Sequence, residues 1–218
     1  MDEWWHVIDY PDGTTSPGAW DLRPLAESKI PWPDIAGARC IDIGTADGFW
    51  AFELERRGAA DVLATDVPSA FQSRARARFE HARERRRSNV RYEARSVFDL
   101  EGAYDVAFMG YVLQMVEDPI AALRSVARVA ETLLLLVTVS LPLSLLPAPL
   151  ARLDARRDGR EWFVFNRRGM RKVVELSGWT VEAQTGFVAE HVVPGAGNWK
   201  WRTGARGRSC ALRARRAP

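Results

Sequence analysis

The rhythm of apolar and polar positions changes near residue 38. Before it there is no clear period. Trp4, Trp5, Tyr10, Trp20 and Trp32 stand among the turn signals Pro11-Asp12-Gly13, Ser16-Pro17-Gly18 and Pro31-Trp32-Pro33. So many aromatic rings need burial, so residues 1–37 are predicted to form an ordered N-terminal cap. From Ala38 short apolar runs alternate with stretches of helical period. Strands are predicted over 39–43, 61–65, 90–94, 104–109 and 133–139. Helices are predicted over 48–57, which Gly58 closes, over 69–87 and over 119–130, which opens on Asp118-Pro119. The 69–87 helix carries a stripe of Phe71, Ala75, Phe79 and Ala82.

Residues 140–166 break the alternation. Pro142, Pro147 and Pro149 precede a charged stretch and Trp162-Phe163-Val164-Phe165. A loop of this length inside a domain is predicted to be a lid insertion. A helix over 168–176, closed by Gly178, and strands over 179–184 and 209–214 complete the pattern. The expected fold is α/β: a doubly wound, mostly parallel, seven-stranded Rossmann-like sheet. It spans one domain over 38–218, with the cap and the lid added.

Composition narrows the class. The chain has 218 residues, 47% apolar and 27% charged, which suits a soluble globular domain. The apolar run 133–139 is the length of a buried strand, far from a membrane span. Met1-Asp2-Glu3-Trp4-Trp5 lacks the features of a signal peptide, so a cytoplasmic location and no membrane partner are expected. Cys40 and Cys210 lie far apart, as do His6, His81 and His191. That spacing predicts no metal site and no disulfide framework. The net charge is +3, carried almost wholly by arginine, with Lys29, Lys172 and Lys200 the only lysines. This bias suggests genome composition rather than nucleic-acid binding. The arginines of 74–87 are expected to form a solvated face, paired with Glu80 and Glu84.

The chemistry concentrates in Cys40-Ile41-Asp42-Ile43-Gly44-Thr45-Ala46-Asp47-Gly48-Phe49, where the first strand turns into the first helix. That is the crevice in which open α/β sheets bind ligands. Gly44 and Gly48 allow a tight turn and a close ligand. The spacing departs from the dinucleotide fingerprint, because Ala46 and Phe49 replace its second and third glycines. An acid, Asp42, precedes the turn, and a second acid, Asp66, ends strand two. Together they describe an adenosine ligand without phosphates.

This combination, over residues 39–179, resembles the class I methyltransferases that use S-adenosylmethionine (SAM). The resemblance implies SAM as cofactor, with Asp42 near the methionine amino group, Gly44 along the ligand and Asp66 on the ribose. Ser96, Val97 and Phe98 would flank the adenine. Gly110, Tyr111 and Gln114 would face the methionine end and the acceptor. Thr45, Gly48 and Val67 complete the implied shell. Trp5-His6-x-Ile8-x-x-Pro11-Asp12-Gly13, Ser16-Pro17-Gly18 and Gly58-Ala59-Ala60 resemble the bacterial tRNA wobble-uridine carboxymethyltransferases. In that group a tyrosine that reads the extra carboxylate of carboxy-SAM stands at the place of Gln114, and a lysine near the equivalent of Trp20 stands at that of Ala19. Arg208 aligns with the group's carboxylate-binding arginine. The departures imply ordinary SAM and a different acceptor.

His6 is the first candidate base, since histidine titrates near neutrality. The competing role is packing within the cap. His191 is the second candidate, and His81 is expected at the surface. Tyr111 is a candidate to orient an acceptor or to wall the pocket. Trp4, Trp5, Trp162, Trp199 and Trp201 are candidates for an aromatic pocket or for core packing. The leading expectation is methyl transfer to a small molecule, such as a secondary metabolite. The alternatives are a tRNA-modifying transferase, a SAM-binding protein without turnover, and, disfavoured by the glycine spacing, a dehydrogenase. The oligomeric state is left open.

Overall fold

The computed structural model describes residues 4–67, 70–153, 162–188, 193 and 207–218, with the side chains of 70–73 outside that description. His191, Trp199, Trp201 and Phe71 therefore lie outside the described side chains.

In chain order the elements begin with β1 (Trp4–His6), β2 (Gly18–Trp20) and α1 (Arg23–Ser28). There follow β3 (Arg39–Ile43), α2 (Phe49–Arg56), β4 (Asp61–Asp66), α3 (Ala70–Arg86), β5 (Arg91–Ala94) and β6 (Tyr104–Gly110). A 3-10 turn (Leu113–Met115) leads to α4 (Pro119–Val129), β7 (Ala130–Ser140) and α5 (Leu141–Ser144). The chain ends with β8 (Ala151–Leu153), β9 (Phe163–Phe165), α6 (Arg167–Leu176), β10 (Trp179–Gln184) and β11 (Gly207–Arg216).

The main sheet runs β10-β11-β7-β6-β3-β4-β5. Pairing is parallel from β5 through to β7, while β11 lies antiparallel between β7 and β10. From β3 the chain first winds outward to β4 and β5, then returns to β6 on the other side. The switch point therefore lies between β3 and β6, where such sheets bind ligands.

Alternate residues of each strand feed two cores. One face carries Cys40, Val62, Ala64, Val106, Phe108, Leu134 and Leu136 under Trp50, Phe52 and Leu54 of α2 and Phe79 and Ala82 of α3. Trp4, Ile8, Tyr10, Leu22 and Leu25 belong to the same cluster, so the N-terminal segment shares this core. The opposite face carries Ile41, Ile43, Leu63, Ala107, Met109, Leu133 and Leu135 under Leu123 and Val126 of α4 and Met170 and Val174 of α6. Helices on both faces give the doubly wound architecture that the sequence predicts.

The seven predicted strands form the main path of the sheet, and two short strands off that path bring it to nine. Residues 140–166 contribute β8 and β9. β6 pairs with β7 only as far as Gly110 opposite Leu136. β9 then joins the freed edge of β7, with Phe165 opposite Val139. Asn166 fixes the root of this segment. It is fully buried, and it caps α6 by accepting from Gly169 N at 2.6 Å. Its Oδ1 also accepts from Leu150 N at 3.0 Å. Its Nδ2 donates to Leu143 O at 3.0 Å and Ala148 O at 2.8 Å.

The arginine-rich helix also departs from expectation. Arg83 pairs with Glu80 at 2.8 Å as expected. Arg85, however, donates to Asp12 Oδ2 at 2.6 Å and Thr14 Oγ1 at 2.9 Å, and its guanidinium lies 3.9 Å from the centroid of the Tyr10 ring. Arg86 donates to the Asp9 carbonyl and lies over Phe52. These two arginines hold the N-terminal segment rather than face solvent alone. Arginine does both, because its stem covers apolar surface while its fork finds acceptors.

Candidate functional site

The site grows from the turn after β3. Asp42 and Ile43 are buried mid-sheet, and the chain must then reverse tightly. Gly44 takes φ 76°, and its missing Cβ would fall 2.2 Å from Val112 Cγ2. Gly44 N and Thr45 N both donate to Thr65 O, at 2.9 and 3.0 Å, which fixes the turn against β4. Ala46 adopts φ 49°, a left-handed conformation that glycine favours and that marks a constrained site. Gly48 serves packing: a Cβ there would meet Phe52 at 2.5 Å and Phe79 at 2.7 Å.

Three buried carboxylates surround this turn. Asp66 Oδ2 accepts from Ala46 N at 3.0 Å and Oδ1 from Val67 N at 2.8 Å. Burial pushes the Asp66 carboxyl up to about 6. Asp42 is 1% exposed, and neither of its oxygens has a hydrogen-bond partner of good geometry, the Thr45 hydroxyl and the Ala51 N–H being the donors that approach it. Burial pushes its carboxyl up to about 7, and the nearby Asp66 charge adds to the rise. Asp47 differs. Burial alone would raise it, but the imidazole of His6 and the backbone of Trp5 and His6 outweigh that and hold it below the usual range. Asp47 Oδ2 accepts from Trp5 N at 2.8 Å and His6 N at 3.1 Å, and Oδ1 faces His6 Nδ1.

The remaining predicted residues spread more widely. Gln114 is buried, with Nε2 donating to Thr138 Oγ1 at 3.4 Å and Oε1 without a partner. Gly110 lets Trp50 approach: a Cβ would sit 2.9 Å from the indole Nε1. Tyr111 takes φ 59° and shares a hydrogen bond of 2.9 Å with Ser209 on β11, so its hydroxyl ties the loop after β6 to β11. Val97 packs into the core. Ser96 is half-buried, and Val67 and Phe98 are exposed. His81 is exposed and stands edge-on to Trp4.

The unpartnered buried atoms identify the ligand chemistry. Asp42 Oδ1 and Oδ2, Thr45 Oγ1 and Gln114 Oε1 are oxygens, and the Trp50 indole is the unpartnered N–H nearby. Buried polar groups require partners. The carboxylate and amide oxygens of this set suit a ligand rich in donors, such as an ammonium and hydroxyls. Those groups are what SAM presents through its methionine and ribose, so the residues fit that cofactor.

Residues 22–184 match the family model described as a methyltransferase domain. The chain belongs to this methyltransferase family. The family's cofactor is SAM, and the fold is that of class I. Over 116 residues the methyltransferase domain is 34% identical to the ubiquinone biosynthesis O-methyltransferase of Neisseria meningitidis serogroup A, covering 51% of this chain and 48% of that protein. The chain thus spans about half the length of the curated relatives it matches. Among solved structures, a SAM-dependent methyltransferase from Mesorhizobium loti aligns with TM-score 0.61 and 18% identity, over 89% of this chain and 97% of the other. The magnesium protoporphyrin IX methyltransferase of Synechocystis PCC 6803, with S-adenosylhomocysteine (SAH) bound, aligns with TM-score 0.57 and 17% identity, over 84% and 76%. The matched curated relatives carry ubiquinone O-methyltransferase names rather than those of the wobble-uridine group. Among the described residues no helix is long and apolar enough to cross a membrane. Nor, among them, do three or more His, Cys, Asp or Glu side chains stand so that they could hold one metal ion together.

Asp47 is the residue that sequence reasoning missed. It stands inside the quoted motif, but its partner His6 is 41 residues away. Nothing in local spacing joins them.

Proposed function

We propose that this chain transfers a methyl group from SAM to a small-molecule acceptor by in-line displacement. The observation that carries the reading is the unpartnered, fully buried carboxylate of Asp42 beside Asp66 at the switch point. Asp42 would hold the methionine ammonium, Asp66 the ribose hydroxyls, and Gly44 and Thr45 the backbone side of the ligand. Gln114 would offer its unpartnered Oε1 at the methionine end, and Phe98 a ring beside the adenine. Bound there, SAM supplies a methyl group already made electrophilic by its sulfonium. The chain's own task is to orient the acceptor, exclude water and accept a proton. Orientation alone is worth roughly 7–11 kcal/mol.

The small-molecule reading draws on the relatives, whose names refer to ubiquinone biosynthesis and protoporphyrin. It also draws on Arg85 and Arg86, whose guanidinium groups serve the N-terminal segment. That weakens the tRNA reading, which needs free cations for phosphates.

Calorimetry with SAM, SAH, carboxy-SAM and NAD tests the cofactor, with Asp66→Ala as control. Tight SAH binding that the variant loses is the expected result, followed by methyl transfer in an acceptor screen. A preference for carboxy-SAM, with salt-dependent tRNA binding, would shift the reading to the wobble-uridine enzymes. Binding of no adenosyl ligand would sink it.

A further inference from the structure

A methyl acceptor needs a base only if it holds a proton that it must lose. An amine lone pair or a thiolate attacks without one. A hydroxyl of ordinary acidity does not, and a placed base then adds about 10²–10⁴-fold. The arrangement at His6 is therefore informative about the acceptor.

Asp47 is fully buried, yet three donors from one dipeptide converge on it. The two backbone N–H groups fix one carboxylate oxygen, and the other oxygen is left for the imidazole. An ionised Asp47 accepts from Nδ1–H, which in the neutral imidazole leaves the lone pair on Nε2. Among the described residues Nε2 has no hydrogen-bond partner. The ring is only 13% exposed and lies 5.7 Å from Phe49, centroid to centroid. Asp47 belongs to the turn that carries Gly44, Thr45 and Ala46, so the imidazole it holds stands beside the ligand turn.

We propose that His6 is the general base of the transfer, that Asp47 is its positioning residue, and that the acceptor is a hydroxyl still protonated at neutral pH, a phenol or an enol. This rests on the reading of the chain as a SAM-dependent transferase. The hydroxyl proton passes to Nε2, giving an imidazolium held by Asp47. The oxygen lone pair forms the new C–O bond, and the electron pair of the broken S–C bond stays on sulfur.

The first test needs no acceptor. Nitrogen-15 NMR of the labelled protein with SAH reads the His6 tautomer. The expected signature is an Nδ1–H imidazole with a strongly downfield proton, absent in His6→Gln and altered in Asp47→Asn. An Nε2–H tautomer in the wild type overturns the proposal. The second test uses catechols of graded acidity. His6→Gln is expected to bind SAH within about threefold of wild type. It should lose about 10²–10⁴-fold in kcat on un-ionised catechols, but less than about tenfold on a nitrocatechol already ionised in the assay. Asp47→Asn disturbs the tautomer and is expected to show the same difference between the two kinds of acceptor, measured at saturating cofactor. Equal losses on both acceptors mean a structural role and overturn the proposal. So does a wild type that binds SAH but methylates none of the phenols. Failure of the wild type to bind SAH instead overturns the underlying reading.

Discussion

The Ala46 N–H donates to Asp66 Oδ2 at 3.0 Å, and so joins the turn after β3 to the end of β4. The donor residue sits at φ 49°, where an L-residue is disfavoured by about 1–2 kcal/mol. The bond helps to hold a shape that Ala46 alone resists. Both Asp66 oxygens accept one backbone N–H, and each keeps a lone pair for a ligand hydroxyl.

Relief of that strain is measurable. Ala46→Gly should stabilise the fold by up to about 1 kcal/mol in urea unfolding. Ala51→Gly, inside α2, should cost at least about 1 kcal/mol. Equal losses at both positions would show that Ala46 is unstrained.

Asp42 makes the fold pH-dependent in an unusual direction. Its carboxyl rises from 3.8 to about 7 on folding, so the folded state binds the extra proton. Stability from this group is full below about 4 and is lost as pH rises through about 7. Each unit is worth about 1.4 kcal/mol, so Asp42→Asn should stabilise the ligand-free protein by roughly 2–4 kcal/mol at pH 8 and little at pH 4. The same variant should lose SAH binding. Denaturant unfolding at the two pH values, without ligand, checks the sign.

A cofactor that brings an ammonium to Asp42 and hydroxyls to Asp66 favours the ionised carboxylates. SAH affinity should therefore rise between pH 5 and 8, through the values of about 6 and about 7. Binding near the middle of that range should release protons. Calorimetry in two buffers of different ionisation enthalpy reads the release directly, and proton uptake would contradict the assignment of Asp42.

Asn166 satisfies two backbone N–H and two C=O groups of residues 143–169. Asn166→Ala leaves them without this partner, Gly169 N in a buried place and the others part-buried, and should cost about 2–4 kcal/mol. At this chain length that lowers Tm by about 4–16 °C. Differential scanning calorimetry should show the fall, while SAH affinity of the folded variant changes far less.

The central sheet was legible because its signals are local. Apolar runs of strand length, glycine turns and the helical stripe of Ala75, Phe79 and Ala82 all lie within a short window. What escaped depends on distant partners. β7 begins at Ala130 rather than 133, because β6 and β11 pair with its polar start. β9 exists because Val139 offers a free edge to Phe165. Arg85 reads as a surface charge until Asp12, 73 residues away, is placed against it. Within the site, Asp42, Gly44 and Asp66 announce themselves by spacing. Asp47 does not, because its donors come from the N-terminal strand.

One side chain thus belongs to two processes. Asp47 lies in the turn at Ala46–Gly48, and it also receives Trp5 and His6. Docking of the first strand and the shape of the ligand turn therefore share a free energy, and such coupling is reciprocal. Whatever tightens the turn raises the work of peeling the N-terminal strand away. Anything that grips that strand from outside alters the turn by the same amount.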